Sequence, residues 1–239
     1  MIEKLLLKLR ARDTISAEEE RALEDAVSEV REIPDNKTIV SPGEELAVST
    51  LLLDGFLARY KDLRDGQRQI TELHVPGDFA DLHSFTLKRL DHNVGTLTPC
   101  KIALVPHERL ERITEAFPHL TRLLWFSTNL DAAIHREWEV SLGRRSAFAR
   151  VAHLFCELYH RLSIVGLTDG LSYDFALTQT DVSECLGLTA VHVNRTLREL
   201  RESDLLEFRG RKVVISNLAA LQAAAEFDAD YLYLDSRPR

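Results

Sequence analysis

The sequence predicts an α+β protein in which an N-terminal antiparallel β-sandwich or β-roll is followed by a long helix and a C-terminal winged helix-turn-helix. Three observations support this prediction. Short β-prone runs alternate with frequent turn signals over residues 33–105. A helical stretch begins at Pro118 and extends to about Leu142. Two short helical patterns then flank Gly187 and lead into a tight hairpin.

The chain has the size and composition of an ordinary globular protein. Its 239 residues suggest one large or two modest domains, and 45% of them are hydrophobic and 28% charged. No window is apolar enough for a membrane span, and the start of the chain lacks the continuous apolar core of a signal peptide. The cysteines are too few and too widely spaced for a disulfide framework or a CxxC zinc site: Cys100, Cys156 and Cys185. We therefore expect a cytoplasmic protein with reduced thiols.

The N-terminal third divides into a helical and a β-prone part. Residues 1–30 are typical of one or two short helices, and Ser16 with Glu19 three residues later predicts a capping box. In the β-prone part, residues 56–69 are expected to form a hairpin that turns at residues 65–66. These local signals place the first helices before the sheet.

A long amphipathic helix is predicted from Pro118, because proline suits the first turn of a helix. The stretch carries two apolar strips, so the simplest arrangement packs one on the β-roll and pairs the other with its copy in a second subunit. The alternative is one broad core stripe in a monomer. A hinge-like break is predicted at residues 143–146, with Ser146 as the cap of the next helix. The strip that we assign to the dimer interface consists of Leu120, Leu123, Ser127, Leu130 and Ile134.

Residues 177–200 carry the strongest signal in the sequence. A helix-turn-helix needs a first helix with inward apolar residues, a glycine at the turn, a cap, and a second helix with inward apolar residues. Gly187 and Thr189 match the turn and the cap, and the inward positions are Val182, Leu186, Val193, Leu197 and Leu200. A ribbon with a tight turn at residues 209–211 then supplies a wing. The second helix of such a motif lies in the major groove of DNA.

The polar residues of this motif are suited to DNA, although the chain carries a net charge of −8. Arg195 is able to form two hydrogen bonds to guanine, and Asn194 two to adenine. Hydroxyls, amides and free N–H groups at the start of the first helix are able to bind phosphate. Taken singly these would be solvated side chains, but their joint spacing favours DNA binding. The predicted contacts are Thr178, Gln179, Thr180, Thr189, Ala190, His192, Asn194, Arg195, Arg198 and Arg211.

With a β-roll, a long helix and a winged helix in this order, the chain resembles the Crp/Fnr superfamily of bacterial transcription regulators, most specifically at residues 188–201. The resemblance implies a sensor domain over residues 1–117 that contains a roll of the double-stranded β-helix or jelly-roll type. It implies a dimerisation helix and hinge over residues 118–143 and a DNA-binding domain over residues 144–239. The implied protein is not an enzyme. It is a homodimer that binds a palindromic operator and works with RNA polymerase.

The resemblance also assigns a base contact to Arg195. The Arg-Glu pair that usually precedes this arginine in the family falls here on Ala190 and Val191. Neither side chain forms hydrogen bonds, although either is able to touch a thymine methyl group. We therefore expect an operator that differs from the family's best-known half-site.

The family's roll usually binds an effector, and this sequence departs from the known sites. A cyclic-nucleotide site resembles Gly-Glu-Leu after a Gly-Asp-Phe corner, followed by Arg-Ser or Arg-Thr for the phosphate. Here residues 77–83 lack the glycine before the acid, and residues 91–93 replace the arginine pair. We therefore expect no cyclic nucleotide, and no iron–sulfur cluster because the N-terminal region lacks a cysteine cluster. The candidate effector residues are Asp81, His83, His92 and Asn93.

Histidines leave haem, metal and small-molecule effectors open as hypotheses, and no cofactor is predicted. The predicted roll contains three that are dispersed in sequence: His74, His83 and His92. Four potential zinc ligands share one helical face, although a cysteine there usually belongs to the core: His153, Cys156, Glu157 and His160.

Two other classes of protein compete with this interpretation: a cupin-like metal enzyme, and a protein–protein adaptor that uses the winged helix as a scaffold. The sequence contains no His-x-His pair, phosphate-binding loop, GxSxG elbow or HExxH motif. Sequence-selective, salt-sensitive binding to DNA distinguishes a regulator from both alternatives.

Overall fold

The computed structural model describes residues 1–239 and begins with two helices that pack on the roll. They are α1 (Glu3–Arg10) and α2 (Ala17–Asp25). The predicted capping box is present, because the Ser16 hydroxyl accepts a hydrogen bond from Glu19 N and the Glu19 carboxylate accepts one from Ser16 N. A Cβ at Gly77 would lie 2.7 Å from the carbonyl of Lys4, so this glycine lets α1 approach the corner of the roll.

The roll consists of two antiparallel sheets, with strand orders β1-β7-β3 and β2-β6-β4-β5. The predicted hairpin is confirmed as β4 and β5, and Gly66 in its turn has a φ of +85°. The antiparallel roll predicted from the turn signals is therefore confirmed. The strands are β1 (Glu29–Ile33), β2 (Thr38–Val40), β3 (Val48–Asp54), β4 (Leu57–Asp62), β5 (Arg68–His74), β6 (Asn93–Thr96) and β7 (Cys100–Pro106).

Three helices complete the N-terminal half: α3 (Ser84–Leu87), α4 (His107–Ala116) and α5 (Pro118–Arg144). α5 is the longest helix at 27 residues, and no helix of the chain is both long and apolar enough to cross a membrane. The predicted break at residues 143–146 is narrower than expected. Gly143 and Arg144 continue α5, and only Arg145 is extended before Ser146 caps the next helix.

The apolar strip assigned to the dimer interface does not face outward. Leu120 and Leu123 are 0% and 1% exposed and pack with α1 and the roll. Leu130 and Ile134 are 7% and 3% exposed and belong to the largest core cluster, while the half-buried Ser127 donates its hydroxyl to Leu123 O. This prediction is corrected, because the strip is covered by the chain's own α1, roll and C-terminal half.

The C-terminal half, called the head (residues 146–225), contains the predicted helix-turn-helix and wing. The wing belongs to a four-stranded sheet of order β10-β11-β9-β8 rather than the two-stranded ribbon expected. The elements are α6 (Ala147–Ile164), β8 (Thr168–Asp169), β9 (Ser172–Asp174), α7 (Gln179–Leu186), α8 (Ala190–Glu202), β10 (Leu206–Arg209), β11 (Lys212–Ile215) and α9 (Leu218–Ala225). A tail of residues 226–239 follows and includes a 3-10 turn at Ala229–Leu232.

The head and the roll share one hydrophobic core. The largest buried cluster combines Phe56 and Leu73 of the roll with Phe155 and Leu186 of the head. Phe56 and Phe175 meet edge to face, with ring centroids 5.8 Å apart. The α7 helix is fixed to β5, because the Gln69 amide donates to the carbonyls of Glu184 and Cys185 at 2.9 and 3.2 Å.

Candidate nucleic-acid interface

The helix-turn-helix is built by local caps. At the start of α7, the Thr178 hydroxyl accepts a hydrogen bond from Asp181 N (3.1 Å), and the Asp181 carboxylate accepts one from Thr178 N (2.6 Å). α7 ends at Gly187, whose φ of +58° lies in the left-handed region that favours glycine. Thr189 then caps α8 by accepting a hydrogen bond from His192 N at 3.2 Å. The turn between the two helices is therefore confined to residues 187–189.

The inward face of the motif matches the prediction. All five predicted inward residues are buried in the shared core: Val182, Leu186, Val193, Leu197 and Leu200. In the wing, Gly210 and Arg211 both have positive φ, +60° and +66°, as a two-residue hairpin turn requires. Arg211 is therefore presented at the exposed tip of the wing.

The outward face of α8 carries the predicted base-contacting residues. Ala190, Asn194, Arg195 and Arg198 are all exposed, and His192 is half-buried. The Asn194 amide donates to Oε1 of Gln179 at 3.1 Å, which links α8 to the first turn of α7. Nη2 of Arg195 lies 2.7 Å from Nε2 of His192. The structure thus brings Gln179, His192, Asn194 and Arg195 together on one surface.

The remaining predicted contacts surround this surface. Thr178 and Thr180 are exposed at the start of α7, and Thr189 is exposed at the start of α8. The arginines of α8 form only long, exposed ion pairs, Arg195–Glu199 at 3.7 Å and Arg198–Glu202 at 3.8 Å. Exposed pairs of this kind contribute about 0–1 kcal/mol, so the guanidinium groups are free to exchange a carboxylate for a phosphate or a base.

Both halves of the chain match known protein families. A Crp-like helix-turn-helix domain matches residues 149–224, and a cyclic nucleotide-binding domain matches residues 30–117. The transcriptional activator protein FnrL of Cereibacter sphaeroides is 25% identical over 218 residues, which cover 89% of this chain and 86% of that protein. The structure of FixK2 from Bradyrhizobium japonicum superposes with a TM-score of 0.77 at 25% identity and covers 85% of this chain and 100% of that one.

The chain belongs to the Crp/Fnr superfamily.

A further relative of this Crp/Fnr protein is the fumarate and nitrate reduction regulatory protein of Vibrio cholerae, which is 23% identical over 89% of this chain and 84% of its own length. These relatives are transcription regulators, so neither the metal-enzyme nor the adaptor interpretation is favoured. Both helices of the motif lie within the matched residues 149–224. The protein is therefore a DNA-binding regulator of the Crp/Fnr type.

The roll of this Crp/Fnr regulator offers no free cation for a cyclic phosphate at the corner that begins at Gly77. Asp81 is 0% exposed and accepts hydrogen bonds from the backbone N–H and the hydroxyl of Thr50. Burial raises the pKa of Asp81 to about 6. The cations beside this corner already have partners, since Lys8 pairs with Asp78 and Arg59 pairs with Glu72 and Asp131. This donor set does not fit a cyclic nucleotide, and Asp81 is a structural residue of the corner.

Two of the four candidate effector residues do meet. The rings of His83 and His92 stack with centroids 5.4 Å apart, and Nδ1 of His92 lies 3.0 Å from the Asp91 carboxylate. Burial lowers the pKa of His83 to about 3, so its imidazole is neutral. Asn93 instead pairs with Tyr60 in the β4–β6 ladder. The histidine pair is the part of the predicted effector set that the roll assembles.

Sequence analysis missed a buried ionic cluster next to this pair. The Arg59 guanidinium bonds Glu72 at 2.6 Å, Asp131 of α5 at 2.8 Å and the Ala80 carbonyl at 2.6 Å. His135 of α5 lies 3.2 Å from the same Glu72 carboxylate. Burial raises the pKa of Glu72 to about 8. The signal that could have revealed the cluster is the opposite charge of Arg59 and Glu72, which face each other in the β4–β5 hairpin.

The potential zinc ligands of α6 are occupied by other partners. Glu157 accepts hydrogen bonds from Trp138 (3.0 Å), Arg161 (2.9 Å) and Tyr231 (2.9 Å). His160 is hydrogen-bonded to Gln222, and His153 packs on the Phe227 ring. Burial raises the pKa of Cys156 to about 12, so the thiolate that zinc requires is disfavoured. No group of three or more His, Cys, Asp or Glu side chains in the chain is arranged to hold a metal ion.

Proposed function

We propose that this regulator binds a palindromic operator as a homodimer and inserts α8, over residues 189–202, into the major groove of each half-site. The observation that carries the proposal is the outward face of α8, where Asn194 and Arg195 are exposed and already oriented by Gln179 and His192. Arg195 would read guanine and Asn194 adenine. The two recognition helices would meet successive major grooves about 34 Å apart.

The DNA backbone would be held by the residues around this face. Thr178, Gln179 and Thr180 lie at the start of α7, where free N–H groups favour phosphate. Thr189 and His192 lie at the corresponding N-terminal end of α8, and Ala190 would face the bases beside them. Arg198 on α8 and Arg211 at the wing tip would neutralise phosphates further out.

For the dimer interface, the exposed face of α5 is better suited than the buried strip. Its exposed residues follow a 3–4 spacing, which is the pattern of a helix that packs on another helix. Trp125 is 68% exposed at the edge of a cavity of about 350 Å³ between α3, α4 and α5. The proposed interface strip consists of Arg122, Trp125, Asn129, Ala132, Arg136 and Glu139.

Residues 1–117 would act as the sensor, residues 118–143 as the dimerisation helix and hinge, and residues 144–239 as the DNA-binding domain. A signal that is not yet identified would act on the roll near His83 and His92 and shift the head relative to α5. Bound to its operator, the dimer would act on RNA polymerase.

Binding-site selection from random duplexes with the full-length protein tests the proposal. We expect a two-fold symmetric consensus whose affinity falls as salt concentration rises. Arg112→Ala is the control for the loss of one positive charge, because Arg112 is exposed on α4, outside the head. This variant should select the same consensus as the wild-type protein. The proposal would be contradicted if the selected duplexes shared no consensus sequence. It would also be contradicted if the protein bound one asymmetric site as a monomer.

A further inference from the structure

Val191 is an exposed apolar side chain on the outward face of α8. It is 82% exposed, more than any other large hydrophobic residue of the chain. Ala190 beside it is also exposed, so the first turn of α8 presents a small apolar patch next to Asn194 and Arg195. Single exposed apolar residues are common on protein surfaces, so the position of Val191 is more informative than its exposure alone.

Helix formation does not account for a valine at this position. β-branched residues lose side-chain freedom in a helix, and alanine is the better helix former. The first turn of a helix also favours a carboxylate, because it lies at the positive end of the helix dipole. The first turn of α8 nevertheless contains no acidic residue, and Val191 is absent from the hydrophobic core. Val191 is therefore available for a contact outside the subunit.

The neighbouring polar side chains define where that contact falls. Asn194 is held by Gln179 at 3.1 Å, and Arg195 by His192 at 2.7 Å. Residues four apart lie one above the other on the same helical face, so Val191 and Arg195 are adjacent along the groove. The base pair that Val191 meets therefore adjoins the one that Arg195 reads.

We propose that Val191 determines operator specificity by packing its methyl groups against the C5 methyl group of a thymine. This inference rests on the proposed function of α8. The thymine methyl is the apolar group that base edges present in the major groove. A valine neither donates nor accepts a hydrogen bond, and no carboxylate on this turn accepts from cytosine N4. The preferred base opposite Val191 is thus thymine.

A thymine-to-uracil scan of the selected operator tests this directly, because uracil lacks only the C5 methyl group. Each thymine is replaced in turn, symmetrically in both half-sites, and the dissociation constant of the full-length protein is measured by fluorescence anisotropy. At one position we expect the affinity to fall about fourfold per half-site, which is the effect of one buried methyl group. The scan is repeated with Val191→Ala and with Val214→Ala, which truncates an exposed valine on β11 instead.

The proposal requires that the uracil effect at this position disappears in Val191→Ala and persists in Val214→Ala. A uniform scan in the wild-type protein would overturn the proposal. An equal uracil effect in Val191→Ala would also overturn it, because the methyl contact would then belong to another side chain such as the exposed Ala190. Failure of the proposed function gives a different result, since no selective binding to the unmodified operator would then be seen.

Discussion

The Arg161 guanidinium on α6 donates a hydrogen bond to the Asp78 carboxylate at 2.9 Å and joins the head to the corner of the roll. Arg161 also donates to the Leu73 carbonyl at 2.7 Å and to Glu157 at 2.9 Å. Lys8 of α1 pairs with the same Asp78 carboxylate. Three parts of the chain that are remote in sequence therefore meet in a second buried ionic cluster, centred on Asp78, which fixes the position of the head on the roll.

Removal of Arg161 should strongly destabilise the protein. Arg161→Ala removes the cation that pairs with Glu157 and leaves the buried Asp78 carboxylate with Lys8 alone, and loss of one member of a buried pair costs about 3–5 kcal/mol. Urea denaturation measures the change in the free energy of unfolding. Arg10→Ala removes an exposed pair with Glu20 and should cost about 0–1 kcal/mol. Equal stabilities of the two variants would show that the cluster does not hold the head.

The stability of the N-terminal helices should depend on pH through His119. Burial alone would lower the pKa of His119, but hydrogen bonds to Glu19 at 2.6 Å and Asp13 at 3.2 Å raise it above its ordinary value. Because the folded state binds this proton more tightly, its contribution is complete below the unfolded pKa of about 6.5 and is lost as pH rises through the folded value.

Comparison of wild type with His119→Gln isolates this contribution. The wild-type protein should have the higher free energy of unfolding. The difference from the variant should be largest near pH 5.5 and should shrink towards pH 8.5. Thermal or urea unfolding across this range gives both curves, and titrating groups that do not contact His119 cancel in the difference. A gap that is constant or widens with pH would refute the assignment.

The exposed strip of α5 should control oligomeric state without affecting the fold. Trp125→Glu places a charge on the proposed interface, so we expect sedimentation to show a monomer with unchanged circular dichroism. Leu63→Glu is the control, because Leu63 is 54% exposed at the tip of the β4–β5 hairpin. A Trp125→Glu protein that sediments as wild type would move the interface elsewhere.

Leu123→Ala distinguishes the exposed strip from the buried one. Because Leu123 is 1% exposed within the subunit, its truncation should lower the unfolding free energy by about 2–5 kcal/mol. Denaturation at several protein concentrations separates this effect from dimer dissociation, whose midpoint depends on concentration. If Leu123→Ala keeps the wild-type free energy of unfolding and only weakens the dimer, the buried strip would be the dimer interface after all.

Local elements were predictable because their signals are local. The Ser16–Glu19 capping box, the Gly187 turn and the Thr189 cap each depend on a few consecutive residues. By contrast, the apolar spacing in the sequence of α5 predicts that Leu120 and Ile134 are buried, as they are, but it does not predict which surface covers them. The contact between Arg161 and Asp78 joins residues that are 83 positions apart, and no periodicity records such a pair.

The central claim is that α8 reads bases through Arg195, and binding-site selection with Arg195→Ala tests it most directly. We expect the variant to bind the wild-type operator about 1–3 kcal/mol more weakly and to lose the preference for guanine at one position of each half-site. Arg198→Ala, which would remove a phosphate contact, should weaken binding to all sequences alike and leave the consensus intact. An unchanged consensus from Arg195→Ala would contradict the account.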